Sequence, residues 1–498
     1  MSSTRAVSRT RLSTSLRPPF HLRSGRNDRF LGVAPTSFQV AIARPSTQRG
    51  RLVKALALCL LLPLAARAEI ATPPLAFTDR TLANGLRVIA LEDHSTPTAA
   101  IQIWYRVGSK DDPAGRSGFA HLFEHMMFKS TERMPNETLD RLTEDVGGEN
   151  NAFTSDDVTA YHETVPANHL ERLIWAEAER LSSLRVDTKN FFTERDVVKE
   201  EFRQSVLAQP YGEFGEWIPK VSFTAHPYKR PTIGNIEELD ASSLEEVKSF
   251  HDTFYRPDNA VLVVAGDFDP ADLQKWVDQY FGPIPKPETP IPRVTVQEPP
   301  RTGERTLRDS SPKIPLPALA VTYLGPAITS DEAPALQVLQ QALSGGESSR
   351  LYRVLIYEKE LAQSAEFGAD LRADPGLLTF QMILASGVDL AKARTALLDE
   401  VKRLIDAPIS DAELTTAKNQ LLAAQLAARE TCDGKAGALA EAAAIRGDPA
   451  LVNTDLAKLQ AVTAEQVQAA AKKWFTDDNR LVLEYLPVSA MPKGKEKK

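Results

Sequence analysis

The sequence predicts an α+β protein of two homologous halves, each an antiparallel sheet covered by helices. The first observation behind this is a repeat. Ser243-Leu244-Glu245-Glu246-Val247 is echoed by Thr463-Ala464-Glu465-Gln466-Val467, each a capping box opening a helix. Phe254-Tyr255, Asp258-Asn259 and the apolar strand Val261–Val264 then match Trp474-Phe475, Asp478-Asn479 and Leu481–Leu483 at the same offset of 220 residues. Tyr105 and Tyr323 end comparable strands 218 apart, and one offset kept over this length indicates duplication. The second observation is a stiff connector, with seven prolines in residues 283–300. The third is the mixture in each half of strands with long helices, such as 388–405 and 410–429. The expected domains are 69–285, a Pro-rich linker at 286–312, and 313–498.

Residues 1–68 are unlike the rest. Residues 1–50 are rich in Arg and Ser and nearly free of acid, a basic extension that reads either as a mis-assigned start or as a mitochondrial transit peptide. In the first case translation begins near Leu52 or Val53. Residues 51–68 carry Arg51 and Lys54, a short apolar run from Ala55 to Ala65, and Ala66-Arg67-Ala68. That order is a secretory signal cut after Ala68, so export to the periplasm is expected, with the mitochondrial matrix as the alternative. The apolar run is too short to span a bilayer, so no stable membrane span is expected. Leu58 is too large for the position before a lipoprotein cysteine at Cys59.

Residues 1–68 hold twelve basic side chains and one acid, a net of +11, so the chain's formal −7 leaves −18 on the remainder. Such acidity argues against nucleic acid as a partner and suits either a cavity for cationic peptides or a well-solvated surface. With Cys59 in the signal, Cys432 is alone, and it reads as a helix-packing residue rather than a nucleophile.

His121-Leu122-Phe123-Glu124-His125 carries the chemistry. Residues four apart on a helix share a face about 5–6 Å apart, so His121 and His125 can grip one ion, with Glu124 beside them to hold a water. The apolar flank Phe119, Leu122, Phe123, Met126, Met127 and Phe128 would bury the pair, and buried ionisable groups need partners. A catalytic zinc takes three protein ligands and leaves a fourth position open, so another ligand must come from elsewhere. In the helical run Phe192–Phe202, Glu194 and Glu201 lie two turns apart on one face. Periodicity alone does not separate a ligand there from a solvated acidic face.

Resemblance does. Gly118 to Thr131, centred on the His-Glu-His motif, resembles the zinc motif of the pitrilysin-type peptidases. More narrowly, it resembles the branch of the mitochondrial processing peptidase β subunit and its bacterial relatives. That family's last ligand falls about 76 residues beyond the second histidine and seven after a Glu-Arg pair; both rules select Glu201. A third block, Gly147 to Tyr161, resembles the family's substrate strand. The resemblance implies one zinc per chain held by His121, His125 and Glu201, with Glu194 behind a ligand histidine and Glu124 as general base. It implies that Asn151, Ala152 and Phe153 pair with the backbone of an extended peptide, and that the halves face each other as a clamshell.

Aligned with the motif, the second half has Gln337, Gln340 and Gln341, so no metal is expected there. The family's substrate-contacting Arg and Tyr fall on Tyr357 and Gln363. That departure implies a catalytic subunit whose related partner supplies both residues. The expected function is a zinc metalloendopeptidase acting as one subunit of a heterodimer. The rival readings are a non-catalytic structural subunit of a larger complex and a dedicated maturation protease for a targeting or ribosomal peptide. Gly345-Gly346 reads as a helix C-cap turn or a hinge. His226 reads as structural.

Overall fold

The computed structural model describes residues 73–490. The expected extension at 1–50 and signal at 51–68 lie outside the described residues. Six strands form the first sheet: β1 (Thr78–Thr81), β2 (Arg87–Glu92), β3 (Thr98–Tyr105), β4 (Glu149–Thr154), β5 (Thr159–Pro166) and β6 (Ala260–Gly266). Five form the second: β7 (Arg305–Ser311), β8 (Ala318–Leu324), β9 (Ala362–Asp370), β10 (Leu377–Leu384) and β11 (Leu481–Pro487).

The orders are β1-β2-β6-β3-β5-β4 and β7-β11-β8-β10-β9. Without the β1 hairpin they are the same sheet. Each is antiparallel except for one parallel pair, β2 with β6 and β7 with β11, formed when the last strand of the half returns beside its first long strand. The repeat is repeated in hydrogen bonds. Asn259 Nδ2 donates to the Phe254 and Arg106 carbonyls, and Asn479 Nδ2 to those of Trp474 and Leu324. Both capping boxes form, at Ser243 with Glu246 and at Thr463 with Gln466.

The halves exchange a helix. β3 and β6 are buried along their whole length, and such strands need cover on both faces. One face packs against helices of its own half. The other is covered by the alanine-rich helix Cys432–Ala444 of the second half, with Ala436, Leu439 and Ala440 against Ile89, Ala100 and Val263. Reciprocally, Phe214 and Ile218 of Gly212–Ser222 pack on Ala318, Ala320, Leu481 and Leu483 of the second sheet. Cys432 is buried at the start of its helix, in packing contact. Gly345 caps Ala333–Ser344, and Gly346 takes a φ of 89° just beyond it. No helix among the described residues is long and apolar enough to cross a membrane.

Candidate metal centre

Helix Phe119–Met126 starts at Gly118, whose φ of 95° and missing side chain leave the first N–H groups uncapped. Asp112 caps them from the preceding loop, accepting from Gly118 N at 2.6 Å and Ala120 N at 2.9 Å. Gly118 also packs backbone to backbone on Gly234, itself at φ 88°. Phe119, Leu122, Phe123 and Met126 fill the core beneath the first sheet. Phe123 stacks on Phe250 at 5.8 Å, and its carbonyl accepts from Tyr161 Oη at 2.9 Å. The apolar spacing thus turns the opposite face, with its two imidazoles, toward the second ligand-bearing helix.

That helix, Thr188–Phe202, is capped by Asp187 and carries Glu194 and Glu201 on one side. Glu201 Oε2 lies 3.2 Å from His125 Nε2 and 3.7 Å from His121 Nε2. One donor atom from each of the three residues falls within 4.8 Å of the others. Ligand atoms about 2.1 Å from a tetrahedral ion sit about 3.4 Å apart, so these separations bracket what zinc requires. The residues present fit that ion.

Burial and the neighbouring His125 pull His121 down to about 3, so it is a neutral imidazole, the form that ligates. For His125 burial opposes the charge, but the Glu201 hydrogen bond and the carboxylates of Glu124, Glu201 and Glu194 outweigh it and raise its pKa. Glu124 is raised by burial, with the Thr154 hydroxyl opposing. That hydroxyl donates to Glu124 Oε2 at 2.7 Å. Glu194 stands beside His125, but its 3.8 Å from Nδ1 is too long for a hydrogen bond. Its close partner is Lys129 Nζ, at 2.8 Å.

Asn151, Ala152 and Phe153 lie on β4, the outer strand of the first sheet. Strand alternation puts Ala152 and Thr154 on one face and Asn151 and Phe153 on the other. Phe153 meets Trp104 edge-on at 5.2 Å and is 37% exposed. The sequence reading gave Asp112 and Lys129 no role at the site, and it placed Thr154 on the substrate strand without its hydrogen bond to Glu124. For Thr154 the signal was available, because the same alternation follows from the sequence alone.

The second half keeps the arrangement without the donors. Gln341 Nε2 donates to Gln420 Oε1 at 2.9 Å, where the first half sets His125 against Glu201. Gln340 Oε1 accepts from Ala369 N on β9, as Glu124 accepts from Thr154 on β4. Arg350 pairs with Glu413 at 2.8 Å as Lys129 does with Glu194. Neutral amides thus stand where the first half sets an imidazole against a carboxylate. His226 is buried, its Nδ1 accepting from Tyr228 N at 3.2 Å, in keeping with a structural part.

A model of the insulinase group (peptidase family M16) matches residues 87–234, and one of the M16 peptidase inactive domain matches residues 242–421. The zinc protease PqqE of Helicobacter pylori is 30% identical over 370 residues, covering 72% of this chain and 82% of that protein. The chain belongs to the M16 peptidase family. Its zinc-protease relatives in this family agree with the pitrilysin-type resemblance and with a metallopeptidase-like function. An M16 relative from Arabidopsis thaliana, named "Probable mitochondrial-processing peptidase subunit beta, mitochondrial", is 26% identical, covering 83% of this chain and 78% of its own. The crystal structure of a protease from Helicobacter pylori superposes with a TM-score of 0.80 at 26% identity, covering 83% of this chain and 100% of that one. The α+β architecture of two sheet-containing halves is therefore the M16 fold.

Proposed function

We propose that the chain is a zinc-dependent metalloendopeptidase that cleaves extended peptides. One observation carries the reading: two imidazoles and a distant carboxylate converge beside a buried glutamate, at the open edge of a sheet. Zinc held by His121, His125 and Glu201 would supply Lewis acidity to that point. Glu124 takes the proton of the attacking water and passes it to the leaving amine; burial raises its proton affinity, which favours the first of these transfers. Thr154 fixes the carboxylate's orientation by its hydrogen bond to Oε2. β4 offers main-chain groups to an extended substrate at Asn151, Ala152 and Phe153, a β-augmentation that asks little of side chains. Lys129 neutralises Glu194, and together they flank His125.

Tyr357 is 78% exposed and Gln363 faces solvent on β9, so neither position offers the Arg or Tyr of the family pattern. This supports a heterodimer in which a related subunit supplies them. The A-x-A signal supports export. Glu124→Gln is the test, made with and without a co-purified partner. The variant is expected to keep one zinc per chain and to lose peptide cleavage, while Glu201→Gln loses the zinc. A zinc-loaded wild-type chain that cleaves no peptide under either condition would leave the structural-subunit reading in its place.

A further inference from the structure

Besides the exchanged helices, the second half meets the first at a small, densely charged junction. The turn between β4 and β5, residues 155–158, faces its own counterpart, the turn between β9 and β10 at residues 371–376. Arg372 reaches Asp156 at 3.3 Å and lies over the Tyr228 ring, 4.5 Å from its centroid. Ala373 N donates to Asp157 Oδ2 at 2.9 Å, and Tyr228 Oη donates to Asp157 Oδ1 at 2.6 Å. Lys110 bridges the two turns, 2.8 Å from Asp157 and 3.0 Å from Asp374. The side chains of Arg372, Asp157 and Lys110 are 13%, 8% and 15% exposed, so these are largely desolvated pairs.

This junction grips the strand that the proposed function needs. β4 is bonded to β5 along one side and open on the other. Its last residue, Thr154, holds Glu124, and Asp156 comes two residues later. The same turn is held from below, where Ser109 N donates to Ser155 O at 3.1 Å and Lys110 N to Asp156 O at 3.2 Å. Gly108 allows that approach, because a Cβ there would lie 2.4 Å from the Asp156 carbonyl. A strand whose outer edge must accept a peptide in one register cannot be fixed from that edge, so its position is set by its ladder with β5 and by what holds its end.

We propose that the turn at 371–376 positions the peptide-binding strand, with Arg372 as the positioning residue acting through Asp156 and the Ala373 N–H holding Asp157 beside it. The metal-free half thereby sets substrate register without touching the substrate. This rests on the peptidase reading for its kinetic consequence but not for its structural one.

The test compares zinc-loaded full-length wild type, Arg372→Met, Arg372→Lys and Asp156→Asn, in the presence of any partner activity requires. Amide hydrogen exchange is followed over 149–154 and over the helix 119–126, with KM and kcat on a fluorogenic extended peptide. Arg372→Met is expected to speed exchange in 149–154, leave 119–126 and zinc content unchanged, and raise KM about tenfold with kcat within about twofold. Arg372→Lys, which keeps the charge, should recover part of the KM loss, and Asp156→Asn should reproduce it. Unchanged exchange in 149–154, or exchange rising equally in both segments with zinc lost, overturns the proposal. If no peptide is cleaved by any form, the exchange comparison still decides whether the turn holds the strand, while the Glu124→Gln comparison decides the peptidase reading.

Discussion

Gly234→Ala tests whether the metal centre depends on backbone packing at the start of the histidine helix. Gly234 sits at φ 88°, and a Cβ there would lie 2.6 Å from both Gly118 Cα and Ser117 O. Carbon contacts are comfortable at about 3.5–4.0 Å, so the two backbones must part by about 1 Å. The left-handed conformation costs an alanine about 1–2 kcal/mol, and overpacking adds about 1–3 kcal/mol. Gly118 is the cap residue three positions before His121, so the displacement is passed directly to a ligand while Glu201 stays with its own helix. Gly115→Ala is the control: Gly115 has a φ of 72° with nothing within 4 Å of a Cβ, so it bears the backbone cost alone. Zinc affinity is read by competition with a chromophoric chelator and stability by urea unfolding. Gly234→Ala should lose about 2–5 kcal/mol of stability and about 10–100-fold in zinc affinity. Gly115→Ala should lose about 1–2 kcal/mol and keep its zinc affinity. Equal behaviour of the two variants would refute the argument that the Gly118–Gly234 contact sets the ligand.

Two further outcomes follow from the packing. Burial, with Asp156 nearby, pushes Glu216 up to about 7, and its Oε2 has no hydrogen-bond partner. The folded chain therefore holds this proton more tightly than the unfolded one, and the resulting contribution to stability is lost as pH rises from about 4.5 to 7. Glu216→Gln should be neutral below about pH 4 and stabilising above pH 7, by no more than about 3 kcal/mol after solvent screening, as read from urea unfolding across pH. Ala440 is fully buried between the exchanged helix and the first sheet. Ala440→Leu should cost about 1–3 kcal/mol and shift one unfolding transition seen by probes in both halves; two separate transitions would contradict the exchange.

The parts of the molecule most legible in the sequence are those whose signal is short-range or repeated. The His-Glu-His spacing fixes two donors on one helical face whatever surrounds it. The offset near 220 is visible because both capping boxes and both Asp-Asn turns repeat, and it extends to a pair not recognised in the sequence, Glu201 and Gln420. Glu201 itself came from family spacing, since an acidic helical face has many bland explanations. The helix exchange was hidden for a different reason. Cys432–Ala444 is alanine-rich on most faces, so no apolar stripe announced what it covers. A hint lay in its targets: Val261 to Ala265 is an unbroken apolar run, which requires cover on both faces, while the first half offers helices for one.

That shortage gives the second half a reason to exist apart from chemistry. That half carries glutamines where the first half sets His121, Glu124 and His125, yet its helix closes the back of the first sheet and its hairpin turn abuts the end of β4. The glutamines there are self-sufficient, because Gln341 bonds Gln420 and Gln340 bonds Ala369 N. Losing the second half itself would strip Ile89, Ala100, Val261 and Val263 to water at the centre of a buried sheet. Duplication followed by exchange therefore explains both facts at once: the second copy's donor positions could drift to amides, while the packing that joins the copies could not be given up.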